Sequence, residues 1–162
     1  MEQNGEIVRI MSKLSTVETV ASVLERDLNL TIQKWTERLS QTKKLTNVKL
    51  GQEQRMGHLP RLLEDIVTRL RLPENTTAAS SSAARDHGTI RFRQGYTVSM
   101  LIEESRLLQV SIFETLHRNQ QTLDPRAVLL NVMIIADECD TQLGHTIDTF
   151  MEEEKKGRRD VA

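Results

Sequence analysis

Apolar residues recur along this chain at steps of three and four, and nowhere do they alternate at steps of two for the length of a strand. Val17, Val20, Val23, Leu24, Leu28, Ile32, Trp35 and Leu39 trace one face of a long helix, and Ser15 followed by Glu18 forms a capping-box pattern at its start. Asn29 and Thr31 are poor helix formers, so a break into two helices is predicted there. Between Leu45 and Gly57 the pattern loosens, and Gly51 and Gly57 bracket a short helical turn. Pro60 suits a first helical position, where its missing N–H costs nothing. Leu62, Leu63, Ile66, Val67, Leu70 and Leu72 then face inward until Pro73 stops the helix.

The polar stretch "PENTTAASSSAARD" is too short to separate two large domains and reads as a loop or a loosely held helix start. A helix is predicted from Ala83 to about Gln94, closed by Gly95 in a left-handed conformation. Thr97 can cap the next helix while Tyr96 packs on Leu101 as a hydrophobic staple. That helix, Val98 to about Arg118, is expected to bury Val98, Leu101, Ile102, Leu108, Ile112, Phe113 and Leu116. After "NQQTLD", Asp124 caps and Pro125 begins a final helix of more than 30 residues, striped by Leu129, Val132, Met133, Ala136, Cys139, Leu143, Ile147 and Phe150. A helix of that length outruns a small domain, so its end is expected to meet a second chain or lead into another domain. The pattern defines an all-α fold, a helical bundle of about five or six helices with a long C-terminal helix.

The length of 162 residues supports about one domain with a self-sufficient core. Lys and Arg number 22 against 23 Asp and Glu, and this balance supplies no field to gather nucleic acid or an anionic membrane. Neither partner is expected. The N-terminus has no apolar run of signal-peptide length and no segment approaches the ~18 residues of a membrane span, so a cytoplasmic protein is expected. The single Cys139, among apolar neighbours, reads as a buried reduced thiol.

The candidate chemistry gathers in "DHGTIRFRQGYTVSMLIEESRLLQ", Asp86 to Gln109. His87, Arg91 and Gln94 share one helix face, and Glu103, Glu104 and Arg106 open the next helix just beyond the Gly95 turn. If the helices form a hairpin these groups converge. Charged groups held between helices must be paired, as Arg91 or Arg106 could be with Glu103 or Glu104. Such a cluster is either a structural ion-pair network or a ligand pocket.

The same stretch resembles the pattern His-Gly-x-x-Arg-x-x-Gln-Gly-Tyr-(Ser/Thr), followed by an apolar helix with Glu-x-Arg-Leu-Leu, of the RsbRD N-terminal domain family. "KWTERL", Lys34 to Leu39, and "HLPRLLEDI", His58 to Ile66, resemble two further markers in the same order, and the likeness covers about residues 15 to 150. The resemblance places His87, Arg91, Gln94, Gly95, Tyr96, Glu104 and Arg106 on the signature positions. It implies a helical input module at the N-terminus of an RsbT co-antagonist-like protein or a bacterial sensor histidine kinase. It also raises a globin-like arrangement without haem, since related co-antagonists carry such domains as dimeric sensors.

Enzyme motifs are missing: there is no Gly-rich phosphate loop, no GxSxG elbow and no HExxH. His58 lacks the spacing of a phosphoacceptor box and reads as a helix start. Glu114 and His117 have the spacing of one half of a di-iron site without a second half, and His145 with Asp148 lacks further ligands on its face. No catalytic residue, metal or cofactor is expected, haem at His117 included, because the chain offers few aromatic residues to line a haem pocket. Gly144 inside the last helix marks either close approach by another helix or simple tolerance on an exposed face. Ala136, Cys139, Leu143, Gly144 and Ile147 are therefore the expected dimer or signal-transmitting face.

The resulting expectation is a sensory or regulatory domain over residues 15–152, with an N-terminal extension at 1–14 and a charged tail or linker to an output domain at 153–162. Its expected partners are a second copy, an attached or separate output domain and an unidentified small-molecule signal. A ligand-free dimerisation and docking scaffold is the alternative.

Overall fold

The computed structural model describes residues 17–159, and the predicted Ser15 cap lies outside them. Within these residues the regular structure is helical apart from one isolated bridge between Glu18 and Leu123, where the Glu18 N–H donates to the Thr122 carbonyl at 2.9 Å. The helices are α1 (Val20–Arg26), α2 (Leu28–Gln41), α3 (Lys43–Thr46), α4 (Gln52–Met56), α5 (Leu59–Arg71), α6 (Ser82–Arg93), α7 (Val98–Arg118) and α8 (Pro125–Arg159). Five of them have twelve residues or more and form an all-α bundle; α1, α3 and α4 are short connectors.

Several helix ends follow from local chemistry. Thr19 caps α1, its hydroxyl accepting from the Ser22 N–H at 3.1 Å. The break after α1 falls at Asp27 and not at Asn29–Thr31. Arg26 and Asn119 hold the Asp27 carboxylate outside the helical ladder, at 3.0 and 2.8 Å. Thr31 is kept inside α2 because its hydroxyl meets that of Thr115, 2.7 Å away on α7. Ser81 caps α6, and Gly95, at φ 78°, ends it in a Schellman motif: Tyr96 N–H reaches the Arg91 carbonyl and Gly95 N–H that of Phe92, both at 3.0 Å. Asp124 opens α8 by accepting from the Arg126 N–H at 3.0 Å.

The core is aliphatic around Trp35, with Val23, Leu39, Leu45, Ile66, Leu101, Ile112 and Ile135 almost fully enclosed. Several positions on predicted apolar faces are exposed: Val17, Leu72, Ile102, and Leu129 and Met133 in the early stripe of α8. Leu129 is 71% and Met133 62% exposed, while the neighbouring Ile134 and Ile135 point inward. The buried positions of α8 are set by the helices it packs against, α6 above all, then α7 and α5.

α8 has 35 residues, about 52 Å of helix, and it continues unbroken through Glu153 to Arg159. Its later half packs intimately on α6. The T-shaped pair Phe92–Phe150, with centroids 5.4 Å apart, closes one end of that contact. Gly88 sits at its centre, where any β-carbon would strike the Thr146 carbonyl and press on the Phe150 nitrogen.

Candidate functional site

The α6–Gly95–α7 hairpin brings together most of the predicted polar set. Glu104 on α7 is buried and accepts three side-chain hydrogen bonds beside an ion-pair contact. Tyr96 Oη donates to Oε1 at 2.9 Å, and Arg91 Nη2 lies against the same oxygen as an ion pair, also at 2.9 Å. Arg91 Nε and His87 Nε2 donate to Oε2 at 3.0 and 3.2 Å. The carboxylate is thereby saturated. Its backbone carbonyl is also used, accepting from Trp35 Nε1 at 3.3 Å.

Arg91 is the counterpart of this arrangement, 0% exposed yet closely partnered. Besides Glu104 it donates to the Gln54 carbonyl at 2.9 Å, to Gln94 Oε1 at 2.6 Å and to the Arg55 carbonyl. The guanidinium thus makes four hydrogen bonds and one further ion-pair contact to Glu104, and its central carbon lies 4.8 Å from the Tyr96 ring centre. One buried cation ties the C-terminal end of α4 to α6 and α7.

Burial alone would raise the Glu104 carboxyl. The hydrogen bond and charge of His87, with those of Arg91, outweigh it and hold the group below the usual carboxylate range. Burial and the adjacent Glu104 charge push the Tyr96 phenol upward, so it stays a donor at any physiological pH.

Of the predicted residues, His87, Arg91, Gln94, Tyr96 and Glu104 converge. Tyr96 does so as a hydrogen-bond donor and not merely as an apolar staple. Arg106 does not join them; it is exposed and pairs with Glu103, one turn away, at 2.6 Å. The charge spacing allowed either partner, but Arg106 stands on the solvent side of α7 whereas Glu104 stands on the bundle side.

The expected transmitting face of α8 turns largely inward. Cys139 is buried, and burial pushes its thiol up to about 12. Leu143 and Ile147 pack on the same core, Ala136 is half-buried, and only Gly144 faces open space. The glycine at a close helix approach is Gly88. Glu114, half of the di-iron spacing, forms an ion pair with Arg38 at 2.7 Å, and His117 is exposed. Among the described residues no group of three or more His, Cys, Asp or Glu gathers as a metal site.

Sequence reasoning passed over a polar stripe on α8. Glu138, Gln142 and Thr146 are all buried, one turn apart. Gln142 donates to the Leu62 carbonyl of α5 and Thr146 to the Ala84 carbonyl of α6, both at 3.0 Å. Their four-residue spacing was the available signal. A cavity of about 40 Å³ joins this stripe to the polar cluster, bordered by Trp35, His87, Glu104, Cys139, Gln142 and Thr146. It has room for about one water molecule.

Fold and site define an all-α bundle whose α6–α7 hairpin is fastened by the buried Glu104 carboxylate and whose long α8 packs along α6. The family model of the RsbT co-antagonist protein rsbRD N-terminal domain matches residues 31–161, and the chain belongs to that family. It is a regulatory domain related to the RsbT co-antagonists. No curated protein and no solved structure matches it.

Proposed function

We propose that this chain is the cytoplasmic input domain of a bacterial signal-transduction protein, a sensor histidine kinase in the first instance, and that it passes its signal to an output domain through α8. The domain itself catalyses nothing in this reading. One observation carries the proposal: the Glu104 cluster and the polar stripe of α8 border the same small cavity, while Gly88 holds α6 against α8 at backbone distance. A packed contact of this kind moves between discrete arrangements and does not deform smoothly. Any event that shifts α6 or α7 therefore reaches α8. Family membership supports the regulatory role, and no described helix is long and apolar enough to cross a membrane.

Hydrogen exchange along α8 tests the transmission. Glu104→Gln is expected to raise exchange at Leu143 to Phe150 as well as in α6 and α7. Unchanged protection of α8 would overturn the coupling.

The scaffold alternative draws on the exposed Leu129 and Met133, one turn apart on α8, as a seat for a second copy. Homodimerisation is compatible with both readings. What separates them is a small molecule retained in native mass spectra and lost on denaturation.

A further inference from the structure

A second pocket, of about 170 Å³, lies beneath the serine-rich stretch that leads into α6. Its walls include Asp65 and Arg69 of α5, Ser80 and Ser81 of the loop, and Glu138 of α8. Arg69 is only 6% exposed, yet among the described residues its side chain has no hydrogen bond or ion pair, and its buried Nε and Nη1 are unpartnered. Arg91 shows what a structural buried arginine looks like in this same molecule, with four hydrogen bonds and an ion pair to Glu104. A buried guanidinium without acceptors carries a large desolvation cost that something must offset. Arg69 therefore has the condition of a ligand contact.

The chemistry of the walls narrows the ligand. α6 begins at the pocket with Ser81 as its cap, so the positive end of a twelve-residue helix adds to Arg69 in favouring a carboxylate or other oxyanion. Two carboxylates stand in the same walls. Asp65 Oδ2 accepts from Ser81 Oγ at 2.7 Å, and Glu138 Oε1 accepts from Gln142 at 3.3 Å. Burial holds the Glu138 carboxyl above the usual range, although its hydrogen bond with Gln142 and the charge of Arg69 act to lower it, and no cation stands within ion-pair distance of it among the described residues. A simple anion would face these acids, and a simple cation would face Arg69. A molecule bearing both charges satisfies each wall. A cavity of about 150 Å³ accepts benzene, so a ligand of about six non-hydrogen atoms fits.

We propose that this pocket binds a small α-amino acid as its zwitterion, with the carboxylate on Arg69 and the N-terminus of α6, and the ammonium on Glu138 and Asp65. The site joins α5, α6 and α8, so occupancy clamps together the elements of the regulatory reading, although binding itself does not depend on that reading.

Thermal unfolding of the 162-residue chain with millimolar L-alanine, L-serine, ethanolamine, lactate or inorganic phosphate tests the assignment. One or both amino acids are expected to raise Tm in a concentration-dependent way, whereas ethanolamine, lactate and phosphate leave it unchanged. Arg69→Met should abolish the response while leaving the unliganded Tm unchanged or higher, because it replaces an unpaired buried charge with an apolar chain of similar length. Glu138→Gln keeps the shape of the pocket and should weaken amino-acid binding by about tenfold or more, which retains a test if the Arg69 variant fails to fold. A shift with phosphate or lactate equal to that with the amino acids would overturn the zwitterion in favour of an anion site. No shift with either amino acid, accompanied by a lower unliganded Tm for Arg69→Met, would make Arg69 a structural residue and end the proposal.

Discussion

Arg91 and Glu104 show how much one pair of side chains can organise. A buried ion pair is no guarantee of stability, since desolvation can exceed the Coulombic gain, but removing one member leaves the other charged and unmatched. Glu104→Gln is thus expected to cost about 3–5 kcal/mol in denaturant unfolding, and Arg91→Ala a comparable amount. The pH dependence follows from the lowered Glu104 carboxyl. A carboxyl held lower in the folded than in the unfolded state contributes stability above its unfolded value and loses it as pH falls toward the folded value. The Tm difference between the wild type and Glu104→Gln should therefore be widest near neutrality and close as pH drops below about 4.5. Cys139 gives a second check at this scale. With its thiol buried and pushed up to about 12, it should react with a thiol reagent at pH 8 only as fast as the chain unfolds. Prompt labelling of the folded chain would contradict the packing of α8.

At the scale of elements, two glycines in helices make opposite cases. Gly88 lies where α6 and α8 touch backbone to backbone, and Gly144 faces open space on α8. Alanine is favoured over glycine inside a helix by about 1 kcal/mol. Gly144→Ala should realise that gain as a higher Tm. Gly88→Ala should lose it to overpacking, a net destabilisation of about 1–3 kcal/mol, with the Phe92–Phe150 contact loosened. The periodicity of the chain made nearly every long helix legible: α7 spans the predicted Val98–Arg118, and α8 begins at the predicted Pro125. Less legible were the break at Asp27, set by Asn119 from the far end of α7, and the exposure of Leu129 and Met133. Spacing identifies a stripe but not which of two adjacent stripes has a neighbour.

For the molecule as a whole, the long α8 is both part of the core and the element that leads away from it. A homodimer is expected in native mass spectra of the chain at micromolar concentration, and Met133→Glu should shift it toward monomer without lowering the Tm of the monomer, because Met133 is 62% exposed. A monomer at every concentration would contradict the dimer and leave Leu129 and Met133 without a second copy to cover them.

The order of the long helices, the hairpin at Gly95 and the family markers were readable in the residues themselves, because each depends on short-range spacing, capping and turn geometry. His87, Arg91 and Glu104 could be singled out for the same reason. The selection of Glu104 over Glu103, the partners of Arg91, the isolation of Arg69 and the closeness of Gly88 to Thr146 came only from the tertiary structure. They depend on carbonyls and carboxylates contributed by segments dozens of residues away, and local pattern carries no record of which distant group arrives to accept a hydrogen bond.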